Sequence, residues 1–324
     1  MRVQATDYFK VKGVTPLELN FIPDVGFQFD VTKERYEVLR GNNQYGVCFV
    51  TKVEPKKIKK GKAQNKIAVI IPNHNYAEWL PKCINSILNQ TYKNFEIIFV
   101  DDVSTDNSVD VAKRLLKKPH KVIELKQQRY TGGARNEGYL AMSKDVDYVF
   151  CIDSDDWLLT DTAFEEINEL LKNAPDVVFM GVTYHSNGTD TEMQKPLYKT
   201  KYDALKGWSG NGKVVRKELA TRQECLYSEG TLKEDKNQHC KICIYMQDFL
   251  CIDKPFYVWN RDNRKSVTTV REKIKWGTST IRHLADTKEL YLTVKGQDAI
   301  VDKYMEERLE QIEKEIKAGG DRQF

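Results

Sequence analysis

The most constraining feature of the sequence is an apolar run that ends abruptly in a cluster of acids. Residues 148–152 are continuously apolar, which predicts a strand buried on both faces. Asp153, Asp155 and Asp156 follow within four positions. Such close acids repel one another unless a cation neutralises them, and hard divalent ions prefer carboxylate oxygens. The cluster therefore predicts a divalent-cation site, with a solvated acidic loop or a helix N-cap as the alternative.

The composition says more about where the protein is located than about what it binds. The chain has 324 residues and a formal net charge of +4, which is too small to indicate a partner. No apolar run approaches the length of a membrane span, and residues 1–10 lack the apolar core of a signal peptide. The seven cysteines are irregularly spaced, so we expect reduced core residues. We therefore expect a cytoplasmic protein, in the host cytoplasm if its source is viral.

Changes in pattern along the chain predict four parts. They are a small β-rich module at residues 1–51, a lysine-rich linker at 52–66, an α/β domain at 67–270 (halves 67–180 and 181–270), and a helical extension at 271–324. The linker carries seven lysines in fifteen positions. Without interleaved aromatic residues it favours a solvated hinge over an arm that binds nucleic-acid phosphates.

From Ile67 onward, buried strands and amphipathic helices alternate. This alternation predicts βαβ units and a mostly parallel sheet flanked by helices. A second acidic pair, Asp101 and Asp102, follows another apolar run. Because the carboxyl ends of parallel strands meet at one edge, we expect both acidic clusters to lie there and to bind a ligand.

Three stretches of the α/β region resemble the nucleotide-sugar half of the family 2 glycosyltransferases, which have the GT-A fold. They read IAVIIPNHNYAEWLPKCINSILNQTYKNFEIIFVDDVSTDNS, GGARNEG and CIDSDDW. The resemblance covers residues 66–180. It departs from the family pattern at Asn73 and His74, which precede Asn75, and at Val103, where glycine is usual.

The resemblance implies a set of roles in binding a nucleotide sugar. Asp102 would contact the base, usually uracil, Asp153 would hold the ribose, and Asp155, with Asp153, would ligate Mn²⁺ or Mg²⁺ on the diphosphate. The implied nucleotide-binding residues are Pro72, Asn73, Asn75, Asp101, Asp102, Gly133, Arg135, Asn136, Asp153 and Ser154. The implied donor is a UDP-sugar.

The segments GWSGNGKVVRKEL, EGTLKEDKNQHCKI and PFYVWNRDNRKSVT are similar to the family's acceptor half. The resemblance implies that Asp235 is the catalytic base, with Glu234 beside it. Glu229 or Glu234 would be the next acid to test if Asp235 is not the base. Such a base takes the proton of the acceptor hydroxyl during a single, inverting displacement. The alternative is that Glu234 and Asp235 are an exposed pair that opens a helix.

Nearby, Cys240 and Cys243 with His239 raise the possibility of zinc. No second ligand pair stands close in sequence, which favours core cysteines and a histidine on the helix surface over a zinc or a catalytic-metal ligand.

We therefore expect a metal-dependent, inverting glycosyltransferase, and the acceptor is the open question. Residues 1–51 resemble small β-rich modules of bacteriophage proteins, which together with the lysine run suggests hydroxymethylated bases of phage DNA as the acceptor. A polysaccharide or protein acceptor is the alternative. A sugar-nucleotide pyrophosphorylase is disfavoured because its G-x-G-T-R loop is missing after the first strand, and a non-catalytic nucleic-acid- or carbohydrate-binding module is disfavoured by the intact acids.

Overall fold

The chain forms two compact units, residues 1–59 and residues 60–324. The computed structural model describes residues 2–5, 20–22, 26–30, 50–52, 62–194, 196, 198–207, 212–230, 234–263, 273–296 and 298–320. In the first unit, four antiparallel strands lie in the order β2-β3-β1-β4: β1 (Arg2–Ala5), β2 (Asn20–Ile22), β3 (Gly26–Asp30) and β4 (Val50–Lys52). Most of the lysine-rich linker lies outside the described residues.

The second unit is built on a nine-stranded sheet with the order β7-β6-β5-β8-β12-β10-β13-β9, in which β11 pairs with β10. Its strands are β5 (Ile67–Asn73), β6 (Phe95–Asp101), β7 (Lys121–Glu124), β8 (Tyr148–Cys151), β9 (Trp157–Leu158), β10 (Val177–Ser186), β11 (Thr189–Gln194), β12 (Lys213–Arg216) and β13 (Phe249–Asn260). All but β9, β11 and β12 point the same way. The predicted α/β fold, a mostly parallel sheet flanked by helices, is confirmed.

Helices cover both faces of this sheet. They are α1 (Leu80–Leu88), α2 (Ser108–Leu115), α3 (Tyr130–Leu140), α4 (Ala163–Leu171), α5 (Lys201–Lys206), α6 (Lys217–Ala220), α7 (Glu234–Tyr245), α8 (Lys273–Val294) and α9 (Ala299–Gly320). Alternate residues of β5 pack into separate cores, Ala68 and Ile70 on one face and Ile67, Val69 and Ile71 on the other. Burial on both faces is what a continuous apolar run requires.

Two further details concern the end of strand β5 and the packing of the last helix. Strand β5 contains Pro72 and continues to Asn73, and both residues are still paired with β6. Its pairing with β8 stops at Ile70, so the proline lies where one side of the strand has no partner and the missing N–H is tolerated. Helix α9 packs on its own unit through an apolar face, on which Met305 and Ile312 are fully buried.

Within the described helices, we find none with the length and apolar character needed to cross a bilayer.

Candidate active site

The carboxyl ends of three parallel strands form one polar edge of the sheet. Strand β5 ends at Asn73, directly beside Asp101 at the end of β6. Strand β8 pairs with β5 through Cys151, and the segment that begins at Asp153 follows it. The two acidic clusters therefore share one edge, as the alternation of strands and helices predicts.

Asp101 holds the turn after β6 in shape. Its Oδ1 accepts hydrogen bonds from Asn73 Nδ2 (3.0 Å) and from the Ser104 hydroxyl (2.6 Å), and its Oδ2 accepts one from the Ser104 amide (2.8 Å). Asn73 Oδ1, by contrast, is buried without a hydrogen-bond partner among the described residues. Because an unpaired buried acceptor is costly, this atom marks a place where a donor group of a ligand would be stabilised.

Asp102 fixes the start of helix α3. The side chain is buried, and its Oδ1 accepts a hydrogen bond from the backbone N–H of Arg129 at 2.7 Å. Its backbone carbonyl lies 2.7 Å from Nδ1 of the exposed His74. One carboxylate oxygen is thus committed to the protein, and the contact of Asp102 with a base stays a prediction.

Three non-glycine residues in the left-handed backbone region surround this end of the sheet. They are Asn75 (φ 63°), Val103 (φ 61°) and Tyr130 (φ 59°). Asparagine tolerates this conformation, and Asn75 Oδ1 accepts a hydrogen bond from the Thr105 amide at 2.7 Å. Val103 and Tyr130 are both exposed. Strained backbone of this kind tends to cluster at ligand sites. The turn therefore keeps the conformation for which the family uses glycine, although valine occupies it.

Asp155 is the buried acid best suited to a cation. Burial, and next the charge of Asp153, raise the pKa of Asp155 to about 6. Asn263 Nδ2 donates to its Oδ2 at 2.8 Å, whereas the neighbouring Ser154 hydroxyl donates to the carbonyl of Pro72 at 3.0 Å. The raised pKa reflects a negative charge that a cation would stabilise.

The donor set fits a cation shared with a substrate. Among the described residues no group of three or more His, Cys, Asp or Glu side chains is arranged to hold a metal. Mg²⁺ is commonly bound through one or two carboxylates, with phosphates and waters completing its shell. Asp153 and Asp155 match that pattern and do not match an all-protein metal cage.

Asp156 has a structural role that the sequence did not reveal. The hydroxyl of Tyr257 donates to its Oδ2, and the backbone N–H of Asn260 donates to its Oδ1 at 2.8 Å. Burial and the charge of Asp155 raise the pKa of Asp156 well above its ordinary value. The last acid of the cluster therefore ties strand β13 to the site.

Arg135 joins the two halves of the α/β unit. The side chain is 2% exposed, and its Nη2 donates to Asp153 Oδ1 at 2.6 Å while its Nη1 donates to Glu234 Oε1 at 3.2 Å. The guanidinium also lies 5.0 Å from the ring centroid of Tyr227. Asp153 follows β8 and Glu234 opens α7, so one buried cation brings together acids that lie 81 residues apart. The predicted contact of Arg135 with phosphates stays a prediction.

Asn136 connects helix α3 to the loop before α7. Its Nδ2 donates to the Tyr227 carbonyl (3.0 Å) and to Glu229 Oε1 (3.2 Å), and its Oδ1 accepts from the Tyr227 amide (3.0 Å). Glu229 also receives hydrogen bonds from the Arg129 guanidinium. Burial alone would raise the pKa of Glu229. The hydrogen bonds from Arg129 and Asn136 outweigh burial, so the pKa of Glu229 lies below its ordinary value. This geometry assigns Asn136 to holding the loop, and its predicted contact with a nucleotide is untested.

Gly132 and Gly133 allow helix α3 to pack closely against its neighbours. A Cβ added at Gly132 would lie 2.4 Å from the carbonyl oxygen of Ser228, and one added at Gly133 would lie 2.4 Å from Cβ of Arg129. The predicted role of Gly133 in binding the nucleotide is untested, and the observed reason for glycine is contact within the protein.

Glu234 and Asp235 are not the exposed helix-opening pair of the alternative interpretation. Glu234 is buried and Asp235 is half-buried. Burial raises the pKa of Glu234 to about 7 although Arg135 opposes this. Burial also raises the pKa of Asp235, while Arg135 and a hydrogen bond from the backbone N–H of Lys236 (2.7 Å) lower it. Two acids with raised pKa values beside a buried cation are typical of a site for proton transfer.

The prediction that His239 lies on the helix surface was wrong. The residue is fully buried, its Nε2 lies 2.7 Å from the Ala204 carbonyl, and burial lowers its pKa well below the ordinary value. Helix α7 packs against other helices, and its consecutive polar residues Asn237, Gln238 and His239 are all buried. Cys243 Sγ lies 3.6 Å from His239 Nε2, and Cys240 Sγ lies 3.3 Å from the Tyr304 hydroxyl. Neither thiol forms a disulfide bond, and the same holds for the other described cysteines.

Comparison with known proteins gives the site a context. Residues 68–243 match the family described as Glycosyl transferase family 2. Among curated relatives, the glycosyltransferase GlyA of Streptococcus pneumoniae is 27% identical over 218 residues, which cover 60% of this chain and 30% of GlyA. The poly(ribitol-phosphate) β-N-acetylglucosaminyltransferase TarP of Staphylococcus aureus is 35% identical over 140 residues, 41% of each chain. The chain spans less than half the length of these relatives.

Solved structures share the fold. S. aureus TarS residues 1–349 in complex with UDP-GlcNAc superpose with a TM-score of 0.61 at 16% identity, covering 76% of this chain and 71% of that one. The mannosyltransferase PcManGT of Pyrobaculum calidifontis, in complex with GDP-Man and Mn²⁺, gives a TM-score of 0.51 at 15% identity, covering 84% and 80%. At such identities the likeness establishes the GT-A architecture alone.

Proposed function

Because the chain belongs to glycosyl transferase family 2, we propose that it moves a sugar from a UDP-sugar to a hydroxyl of a polysaccharide, with inversion and with a divalent cation. The observation that carries the proposal is the buried bridge from Asp153 through Arg135 to Glu234. It joins the acids expected to bind the donor to the acids expected to act on the acceptor. A single-displacement transferase needs both within one site.

The donor end is supported by the groups that gather at the carboxyl edge of the sheet. Asp153 and Asp155 would hold Mn²⁺ or Mg²⁺, and the unpaired Oδ1 of Asn73 would accept a hydrogen bond from the nucleoside. When bound, the cation supplies Lewis-acid stabilisation of the departing diphosphate. TarS, a neighbour in fold, binds UDP-GlcNAc, which supports a uridine nucleotide here as well.

At the acceptor end, Asp235 would take the proton of the attacking hydroxyl. Arg135 and the Lys236 amide lower the pKa of this carboxylate, which keeps a larger fraction of it ionised despite its burial. Glu234, whose pKa burial raises to about 7 and which accepts a hydrogen bond from Arg135, would position the guanidinium. The step is general-base catalysis of attack at the anomeric carbon, with the diphosphate as leaving group.

The relatives favour a polyol-phosphate or similar polysaccharide as the acceptor. TarP and the poly(ribitol-phosphate) β-glucosyltransferase of Bacillus spizizenii both carry such names. The prediction of a phage-DNA acceptor depends on residues 1–66, most of which lie outside the described residues, and it stays a prediction that an acceptor screen tests.

The experiment measures UDP release and sugar transfer with UDP-GlcNAc and UDP-glucose in the presence of Mn²⁺. The acceptors are a poly(ribitol-phosphate) polymer, hydroxymethylated DNA, and water. We expect Asp235→Asn to lose about 10²–10⁴-fold in turnover while its affinity for UDP changes little, because donor binding does not need the base. Asp155→Asn should lose Mn²⁺-dependent UDP binding.

A matched control is Asp161→Asn, which neutralises an exposed acid before helix α4 and should retain wild-type activity. Activity that survives removal of divalent cations by a chelator would contradict the metal role. Turnover of Asp235→Asn within a few-fold of wild type would move the base to Glu229 or Glu234.

A further inference from the structure

Strand β13 holds the residues on either side of Asp155. The Tyr257 hydroxyl accepts a hydrogen bond from the backbone N–H of Asp153 at 3.3 Å and donates to the carboxylate of Asp156. The backbone N–H of Asn260, the last residue of the strand, donates to the other oxygen of Asp156 at 2.8 Å. The carboxylate of Asp155 itself is held from a different residue.

That residue is Asn263, which lies just after the strand. Its Nδ2 donates to Oδ2 of Asp155 at 2.8 Å, and the two residues are 2% and 9% exposed. An ionised carboxylate only accepts hydrogen bonds, so the amide nitrogen, and not the amide oxygen, faces it. The bond therefore fixes one oxygen of the carboxylate that is expected to bind the cation.

A hydrogen-bonded turn fixes the chain that leads to Asn263. The side-chain Oδ1 of Asn260 accepts a hydrogen bond from the backbone N–H of Asp262 at 3.1 Å, which closes a turn of a kind that asparagine favours. Between them, the N–H of Arg261 donates to the carbonyl of His185 at 2.8 Å and extends the pairing of β10 with β13 by one residue. Each of the residues that precede Asn263 in this turn is thus held in place.

Asp262 joins the turn to the hairpin formed by β10 and β11. Its Oδ1 accepts a hydrogen bond from the N–H of Asn187 at 2.7 Å, and its Oδ2 accepts one from the N–H of Gly188 at 3.0 Å. Both donors lie at the tip of the hairpin, in the left-handed backbone region (φ 53° and 72°). The turn that carries Asn263 is therefore anchored to the acidic cluster and to the hairpin tip.

We propose that Asn263 is a positioning residue for the cation site: it holds the Asp155 carboxylate in the orientation that binds Mn²⁺ or Mg²⁺, and Asp262, through the hairpin tip, holds Asn263. The inference rests on the proposed function, since this orientation matters only if Asp155 binds the cation. Carboxylates that bind a metal are commonly held by such outer hydrogen bonds, and loss of one typically costs about 10–100-fold in metal affinity or activity.

The test measures the affinity of the UDP-bound protein for Mn²⁺ by electron paramagnetic resonance, with no acceptor present. In Asn263→Leu, which removes the amide at similar volume, we expect the Kd for Mn²⁺ to rise by about 10–100-fold. Binding of UDP without a cation should change little, since the proposed role concerns the cation. A residue that merely supports the fold would lower the urea midpoint and leave the Kd of the folded protein unchanged.

Asn168→Leu is the matched control for this variant. Asn168 is 4% exposed, lies on helix α4 and accepts a hydrogen bond from the backbone N–H of Asn65 at 3.0 Å. Its replacement removes a buried amide of the same kind, so it should lower the stability of the protein and leave the Mn²⁺ affinity at the wild-type level.

A second variant keeps the test decisive if Asn263→Leu does not fold. Asp262→Ala removes both hydrogen bonds to the hairpin tip at a side chain that is 31% exposed, and it should raise the Kd for Mn²⁺ several-fold. Its control is Asp190→Ala. Asp190 lies on β11 and its Oδ1 is 2.7 Å from Nδ1 of His185, but it does not belong to the turn, so its loss should leave the affinity unchanged.

Wild-type Mn²⁺ affinity in Asn263→Leu, or an equal loss in Asn168→Leu, overturns the inference, and wild-type affinity in Asp262→Ala overturns the part assigned to Asp262. If Asn263→Leu does not fold, Asp262→Ala decides alone. A wild-type UDP complex that binds no Mn²⁺ rejects the cation role and the inference together. Mn²⁺ binding that responds as expected, without sugar transfer to any acceptor, rejects the transferase function alone.

Discussion

Among single residues, Val103 has the clearest conflict between side chain and backbone. Its φ of 61° is in the left-handed region, where a β-branched residue is an outlier, and its side chain is 39% exposed. Replacing Val103 with glycine relieves this strain, which stabilises the folded protein by ~1–2 kcal/mol. The greater freedom of glycine in the unfolded chain offsets ~0.4–1 kcal/mol of that gain. We therefore expect Val103→Gly to raise the free energy of unfolding in urea by roughly 0.5–1 kcal/mol.

Val103→Ala is the control, because it removes the γ-methyl groups but keeps the Cβ that conflicts with the left-handed backbone. It should give little or no gain. A Val103→Gly protein less stable than wild type would show that the valine side chain contributes packing that outweighs the strain.

Secondary-structure elements were predictable where a periodic pattern spans the whole element. The continuous apolar run at Ile67 predicted a strand buried on both faces, and the acids at the ends of β6 and β8 predicted the ligand edge. The partners of those acids were not predictable from the residues alone. Asn263 contacts Asp155 from more than a hundred residues away, and no local spacing marks such a pair. The bridge from Asp153 through Arg135 to Glu234 was missed for the same physical reason, since tertiary packing alone brings these residues together.

Helix α3 is the element on which both halves of the site depend, and its glycines allow a direct test. Gly132 faces the carbonyl of Ser228, whereas Gly138 faces Ile70 of β5, where an added Cβ would lie 2.5 Å from Cγ2. Alanine at either position introduces overpacking that costs about 1–3 kcal/mol, more than its gain in helix propensity. Both variants should therefore unfold at lower urea concentration.

The two glycine variants should differ in activity. Gly132→Ala displaces the loop that holds Tyr227 and leads to Glu234, and misplacement of catalytic groups by about 1 Å can cost up to about 10²-fold in rate. Gly138→Ala disturbs the core on the other side of the helix, so kcat per folded molecule should stay near wild type. Equal losses of kcat in both variants would mean that α3 does not control the position of the acidic pair.

At the scale of the whole α/β unit, a bound donor should stabilise the fold because it would contact the ends of β5, β6 and β8 together. A ligand at a hundredfold excess over its Kd stabilises the native state by about 2.7 kcal/mol. For a unit of this size that corresponds to an increase in Tm of roughly 5–10 °C, at about 2–4 °C per kcal/mol. We expect UDP with Mn²⁺ to give this increase in a thermal unfolding experiment, and GDP and ADP at the same concentration to give less, since Asp102 and its neighbours would recognise uracil.

Asp155→Asn should lose the Mn²⁺-dependent part of the UDP effect while its Tm without ligand stays near or above that of wild type, because burial and Asp153 already disfavour the ionised carboxylate at this position. Equal increases with all three nucleotides would remove the assigned role of Asp102, and an undiminished Mn²⁺ effect in Asp155→Asn would place the cation elsewhere.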